Sequence, residues 1–215
     1  MLEVGTLNET EQTIFKHTGP IIQTVDREIQ IIDRLEEPLI VLLGNVLSDE
    51  ECDELINQAK HQMKRSKIGL TRDESEMRTS RGMFFDESET ELIKRIENRI
   101  ETIMDIPIEH AEPLQVLHYE PGQQYKPHFD YFSTNPTYNN RISTLILYLN
   151  DVEEGGETFF PTLNYSVAAK KGMGLYFEYF YQDEKINEQT IHAGNPVISG
   201  EKWVATQWMR RKRIR

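Results

Sequence analysis

The sequence predicts an α+β fold with a mainly β core: a barrel-like double sheet with supporting helices packed on one face. Three observations predict it. Two capping patterns in the first half each open a run of apolar residues at three-to-four spacing. From about Leu114 the hydrophobic period changes from helical to two, and the short strands that follow are divided by Pro-Gly, Gly-Gly and Gly-Asn-Pro turn signals.

Taken in order, Ser48-Asp49-Glu50-Glu51 is a capping box, in which the Ser48 hydroxyl and the Glu51 carboxylate satisfy free amides at a helix start. That helix is expected to run to about Met63 and to bury Cys52, Leu55, Ile56 and Ala59. Ser88-Glu89-Thr90-Glu91 gives a second start, and Leu92, Ile93, Ile96, Ile100 and Ile103 then form one apolar stripe. The polar stretch 71–76 between them reads as a loop. Residues 114–119 read as a strand that Pro121-Gly122 reverses toward a second strand at 125–131. Residues 142–149 are apolar on both faces apart from Ser143 and Thr144, the mark of a strand sandwiched between layers. Short strands at 157–160, 175–181 and 202–209 complete the set, with turns at Gly194-Asn195-Pro196 and Ser199-Gly200. No repeat or Gly/Ser/Pro-rich linker divides the chain. One domain over 1–215 is expected, with helix-rich support to about 110 and the β core from about 111.

At 215 residues the chain is long enough to bury roughly 70% of its unfolded surface without disulfides. Its single cysteine, Cys52, cannot bridge within the chain, and its acidic setting raises rather than lowers a thiol pKa. A net charge of −12 and a pI near 5.0 argue against a nucleic-acid partner. The exception is Arg210-Arg211-Lys212-Arg213-Ile214-Arg215, five cations in six residues. No second basic cluster accompanies it, so it reads as an end that balances the acidic body or pairs within it. No secretory signal opens the chain and no apolar run spans a membrane. A reducing, cytoplasmic setting is therefore expected, with no membrane partner.

The constellation that dictates a reaction is His128-Phe129-Asp130 with His192 and Lys202 downstream. On a strand, His128 and Asp130 leave on the same face about 7 Å apart, so both can reach one ion. His192 is the only late histidine and supplies a third ligand from a distant strand. Two imidazoles and one carboxylate are the facial triad of a non-haem Fe(II), leaving the opposite coordination positions open. A His-x-Asp pair alone is a weak signal. What raises it is Lys202, which shares an inward strand face with Val204, Thr206 and Trp208, where a buried ammonium calls for an anion unless it snorkels to solvent. His17, His61, His110 and His118 read as surface or satisfied core residues.

These stretches resemble the collagen-type prolyl 4-hydroxylases among the Fe(II)/2-oxoglutarate dioxygenases. The match is carried by Leu114 through Asp130, by Arg141 through Leu149 with Gly155-Gly156-Glu157-Thr158, by His192-Ala193-Gly194 with Lys202, and upstream by Arg78-Thr79-Ser80-Arg81-Gly82-Met83-Phe84. The resemblance implies a double-stranded β-helix, or jelly roll, with N-terminal supporting helices. It implies His128, Asp130 and His192 as metal ligands and Tyr119, Thr158 and Lys202 as the 2-oxoglutarate site, with Lys202 on the distal carboxylate. Arg141 and Trp208 match positions that face the peptide or the space beside the metal. The implied cofactors are Fe(II), the cosubstrates 2-oxoglutarate and O2, and ascorbate; the implied reaction is hydroxylation of peptidyl proline coupled to decarboxylation of 2-oxoglutarate to succinate and CO2. The carboxylate ligand also favours hydroxylation over halogenation.

Two other readings stand beside this one. A hydroxylase of a free amino acid or other small molecule would need a second cation for the substrate's carboxylate, for which Arg81 is the candidate. A non-catalytic jelly-roll module would need a fourth protein ligand to close the metal site. The loops at 71–80 and 130–140 are expected to close over a peptide. A homodimer is expected if the apolar residues in 21–40 exceed what one core can cover.

Overall fold

The computed structural model describes residues 12–67, 75–132, 139–181 and 185–215. Fifteen strands and two α-helices follow one another among them. First come β1 (Ile21–Gln23), β2 (Glu28–Glu36), β3 (Leu39–Gly44), α1 (Asp49–Ala59), β4 (Lys64–Arg65), β5 (Arg81–Phe84) and α2 (Glu91–Met104). Then come β6 (Gln115–Tyr119), β7 (Tyr125–His128), β8 (Arg141–Tyr148), β9 (Glu154–Gly155), β10 (Thr158–Phe160), β11 (Tyr165–Val167), β12 (Gly174–Glu178), β13 (His192–Gly194), β14 (Val197–Ser199) and β15 (Lys202–Arg210).

The capping box is present as read: Ser48 accepts from the Glu51 amide and Glu51 accepts from the Ser48 amide. The helix stops at Ala59, a turn short of Met63. At α2 the cap is Thr90, whose hydroxyl accepts from the Ile93 amide. Ser88 instead takes φ of 48° and uses its amide and hydroxyl to satisfy buried Glu97. The two helices are tied by Arg99, which bonds Glu51 from Nη1 at 2.9 Å and Nη2 at 3.0 Å and holds Asp26. Burial pushes the Glu51 carboxyl up, but Arg99 overcomes it and holds it down to about 2. Cys52 is wholly buried under α1, and burial pushes its thiol up to about 12.

The front of the chain is less helical than expected. β1, β2 and β3 form a meander that pairs through β3 with β12, so Ile22, Ile29, Leu39 and Ile40 enter the core. They join the sheet through the edge that β12 offers β3, a tertiary fact the local pattern does not carry.

All strand pairs are antiparallel, in a large sheet ordered β1-β2-β3-β12-β8-β15-β6-β5-β4, a second ordered β11-β10-β13-β7, and a short pair β14-β9. The sheets face each other: Tyr148 on β8 donates to Thr158 on β10 at 2.8 Å, and Phe177 on β12 packs edge-on against His192 on β13. This is the double-stranded β-helix. β8 and β15, central in the large sheet, are buried along almost their whole length on both faces. The turn before β10 needs Gly155 at φ of 77°, where a Cβ would stand 2.3 Å from the Pro196 carbonyl oxygen. No helix among the described residues is long and apolar enough to cross a membrane.

The basic end pairs within the acidic body. Arg210 reaches Glu112 at 2.5 Å, and Arg215 reaches buried Glu97 at 2.6 Å while donating to the carbonyls of Ala111 and Glu112. Replacing Arg215 by alanine should therefore cost about 3 kcal/mol, the usual scale for stranding one member of a buried pair. Arg213, 70% exposed and 3.9 Å from Glu109, should be replaceable within about 0.5 kcal/mol. Thermal or denaturant unfolding of the two variants checks the contrast.

Candidate metal centre

β7 and β13 are neighbours in the second sheet, and His128 stands directly opposite His192 in their register. Cross-strand partners share a face, so both imidazoles point into the space between the sheets, with ring centroids 4.4 Å apart. Asp130 lies just past the end of β7 on the same side. Each Nε2 is 3.6 Å from an Asp130 carboxylate oxygen, and one donor atom from each residue lies within 4.8 Å of the other two. Asp130 is 8% exposed and His192 4%.

The hydrogen bonds behind the rings select the tautomer. Nδ1 of His128 faces the Lys126 carbonyl at 2.8 Å, and Nδ1 of His192 faces the Thr190 carbonyl at 3.0 Å. A carbonyl can only accept, so each Nδ1 carries the proton and each Nε2 lone pair is left to the shared centre. Burial, helped by the neighbouring His128, lowers His192 to about 4 and keeps it neutral. Burial raises Asp130, but His192, His128 and Arg141 outweigh it and hold its carboxyl well below the usual range. Two neutral imidazoles and one ionised carboxylate fit a divalent iron. Among the described residues no fourth His, Cys, Asp or Glu joins the cluster.

A cavity opens beside the triad, walled by Tyr119, Tyr125, Ile146, Thr158, Lys202, Thr206 and Trp208 together with the triad itself. The inward face expected of β15 is thus observed. Lys202 is 4% exposed, so it does not snorkel, and no carboxylate lies within 4 Å of it among the described residues. Burial lowers its ammonium to about 8 against the opposing pull of Glu157. Its Nζ lies 5.7 Å from the Tyr119 ring centre and 5.9 Å from that of Tyr148, aromatic faces that suit a cation. Thr158, whose hydroxyl accepts from Tyr148, completes this end. A buried unpaired cation at one end and an open metal face at the other suit a short dicarboxylate.

Arg141 is placed beside Asp130 of the triad rather than in the cavity wall. Glu112 holds its guanidinium with two 2.7 Å bonds, Nη1 points at the Asp130 carbonyl at 3.4 Å, and the group stacks 3.8 Å over Trp208. The sequence reading did not single out Glu112, and it kept no site role for Tyr125 or Arg78. Tyr125 stacks on the His128 ring at 3.4 Å, and Arg78 lies over Tyr125. Among the described residues, Arg78 Nε and Trp208 Nε1 are buried donors without a partner. Arg81, the cation required for a free amino acid, is exposed and donates to the Met63 carbonyl instead. The remaining histidines have ordinary surroundings: His17 meets the Thr102 carbonyl, His110 the Arg210 carbonyl and His118 the Glu201 carboxylate, and His61 is exposed. Of the loops expected at 71–80 and 130–140, residues 71–74 and 133–138 lie outside the described residues, while 75–80 forms a turn between Ser75 and Arg78 that sets Arg78 in the cavity wall.

The family model described as the 2OG-Fe(II) oxygenase superfamily matches residues 114–210. Among curated relatives, probable prolyl 4-hydroxylase 3 of Arabidopsis thaliana is 40% identical over 200 residues, covering 80% of this chain and 69% of that protein. Prolyl 4-hydroxylase 5 of the same plant is 38% identical over 199 residues, covering 80% and 68%. Among solved structures, the 2OG complex of viral collagen prolyl hydroxylase from Paramecium Bursaria Chlorella virus-1 superposes with a TM-score of 0.67 at 34% identity, covering 80% of this chain and 95% of that one. A Trichoplax adhaerens prolyl hydroxylase bound to a hypoxia inducible factor peptide shares the fold at 17% identity, with a TM-score of 0.62 and coverage of 80% and 83%.

The Lys202 environment sets a pH dependence. Its folded pKa, about 8, lies below the 10.5 of a free lysine, so between those values the folded protein lacks a proton that the unfolded chain carries. Stability gains with pH across that window, whereas holding a carboxylate needs the charged form. The affinity for 2-oxoglutarate should therefore fall as pH rises through about 8, and Lys202→Arg, charged throughout, should remove the fall. Anaerobic titration of the ferrous protein with 2-oxoglutarate at pH 7 to 10 measures it.

Proposed function

The chain belongs to the prolyl 4-hydroxylases of the 2OG-Fe(II) oxygenase superfamily, and from that membership we propose that it hydroxylates peptidyl proline at the 4-position, coupled to conversion of 2-oxoglutarate and O2 to succinate and CO2. The observation that carries the reading is the convergence of His128, Asp130 and His192 beside a cavity whose far end holds an unpaired lysine. His128, Asp130 and His192 would hold Fe(II), which when bound would supply the oxidising chemistry with dioxygen and 2-oxoglutarate.

The chain's own residues bind, orient and exclude water. We assign Lys202 and Thr158 to the distal carboxylate of 2-oxoglutarate, with Tyr119 beside them on the wall. The antiparallel strands of both sheets fix these side chains, so the cosubstrate's two ends are set by rigid elements rather than loops. Tyr125 is stacked flat on His128, and this leaves the ring no freedom to turn its Nε2 away.

The peptide reading is supported by two buried donors on the cavity wall, Arg78 Nε and Trp208 Nε1, that lack acceptors. Peptide carbonyls supply such acceptors, and an extended proline-rich chain presents them at low entropic cost. We assign Trp208 to the substrate side and Arg141, through its stack on Trp208, to the same face. The free-amino-acid alternative loses its proposed cation, since Arg81 lies outside the cavity wall.

Ascorbate use, a reducing cytoplasmic setting and a homodimer belong to the same proposal. The compartment is supported by a buried, unpaired Cys52, and the dimer by the exposed Ile21, Val25 and Ile32 on the β1–β2 hairpin. Sedimentation of the purified chain and turnover with and without ascorbate test these parts.

A library of proline-containing peptides incubated with Fe(II), 2-oxoglutarate and O2 should yield products heavier by one oxygen atom, with free proline unchanged. His128→Ala should abolish both this gain and succinate release, and a variant that still couples peptide to succinate would remove the triad from the reaction. Lys202→Ala should weaken 2-oxoglutarate binding ~100-fold, the scale for stranding a buried charge.

A further inference from the structure

Polar side chains in a strand buried on both faces are usually hydrogen-bonded. Ser143 and Thr144 are the two polar residues in the body of β8, and Thr144 faces the site. Its hydroxyl lies 2.6 Å from Asp130 Oδ2 and 3.1 Å from the Tyr179 hydroxyl, and Thr144 and Tyr179 are both fully or almost fully buried. We propose that Tyr179 and Thr144 form a hydroxyl relay that orients the Asp130 carboxylate for metal binding, making both of them positioning residues of this centre. The inference rests on the metal-dependent reading above and adds to it the groups that aim its one anionic ligand.

The direction of the relay follows from proton counting. An ionised carboxylate is acceptor-only, so Thr144 must spend its single proton on Asp130 Oδ2. The Thr144 oxygen then accepts, and Tyr179 must donate to it. Burial pushes the Tyr179 hydroxyl well above its ordinary pKa, so the donated proton stays in place. The backbone of Asp130 is fixed separately, by Arg141 Nη1 on its carbonyl at 3.4 Å. Side chain and main chain of the ligand are thus held by different groups, and one carboxylate oxygen, Oδ1, is left without a hydroxyl donor, 3.6 Å from His128 Nε2.

The anchors are rigid. Thr144 pairs across the sheet with Phe177 on β12 and Trp208 on β15, and the Tyr179 amide donates to the Ile142 carbonyl at 3.2 Å. Tyr179 also packs against Phe177, Phe180 and Tyr131. Neither hydroxyl can leave without moving a central strand. Groups standing behind a metal ligand in this way typically contribute 10–100-fold in metal affinity.

The test is metal affinity, read from the absorption of Co(II) titrated into the metal-free full chain, with apo-protein unfolding as the control for folding. Thr144→Val keeps the shape and removes the hydroxyl; affinity should fall about 10–100-fold. Thr144→Ser keeps the hydroxyl and should bind Co(II) as tightly as the parent. Tyr179→Phe leaves the bond to Asp130 but frees its direction, and should cost a smaller, few-fold loss. A folded Thr144→Val protein that binds Co(II) as tightly as the parent overturns the relay. Should Thr144→Val not fold, Tyr179→Phe decides: parental affinity overturns the proposal and a loss that Thr144→Ser does not show supports it. A parent chain that binds no Co(II) at all would instead remove the metal-dependent reading, and the relay with it.

Discussion

A carboxylate held 8% exposed between two imidazoles is the constraint to which the rest of the structure answers. An ionised group in such a place carries a desolvation cost that only dense, oriented compensation offsets. The compensation within the chain comes from the Thr144 hydroxyl behind one oxygen and Arg141 on the backbone carbonyl, while the two Nε2 lone pairs in front leave room for a cation to supply the rest. The register that sets His192 against His128 brings a third ligand to a pair fixed by adjacency. Without that register the chain would hold only two neighbouring ligands and no open half-site.

The charge that surrounds this centre is organised in chains rather than as isolated pairs. Glu112 receives both Arg141 and Arg210, and Arg215 holds the backbone of Ala111 and Glu112 while pairing with Glu97 on α2. The helices behind the sheet are joined by Arg99 between Glu51 and Asp26. A protein of net charge −12 thus concentrates its cations where carboxylates are buried, and its basic end is part of that arrangement. The cavity departs from the pattern: among the described residues Lys202 is buried with no carboxylate within 4 Å, only the more distant pull of Glu157, and Arg78 and Trp208 carry unused donors. Unsatisfied polar groups are costly in a finished core, and the two that line this cavity, with Lys202, are groups that cosubstrate and peptide can complete.

Much of the β core was legible because its signals are local. The strand faces of 202–209 and 142–149 follow from period-two patterning, and both capping sites are close to where the sequence puts them, with Thr90 displacing Ser88 by two residues. The β1–β3 meander escaped because nothing local distinguishes strands that join a sheet through β12 from apolar support. Thr144 was visible as a polar interruption of a buried strand, but its partner, Tyr179, lies 35 residues away and could not be read from spacing. Glu112 and Arg78 escaped for the same reason: each matters through a residue distant in sequence, Arg141 and Tyr125 respectively.

The sequence by itself determined the ligand types, the pairing of His128 with Asp130 on one face and the inward direction of Lys202, because alternation along a strand is a property of the backbone alone. Only the tertiary structure decided that His192 completes the triad, that Arg141 is taken by Glu112, and that Lys202 has no carboxylate within 4 Å among the described residues. Those outcomes depend on which strands become neighbours and on what the packed interior leaves unpaired, and both are settled by burial across the whole chain rather than by any segment of it.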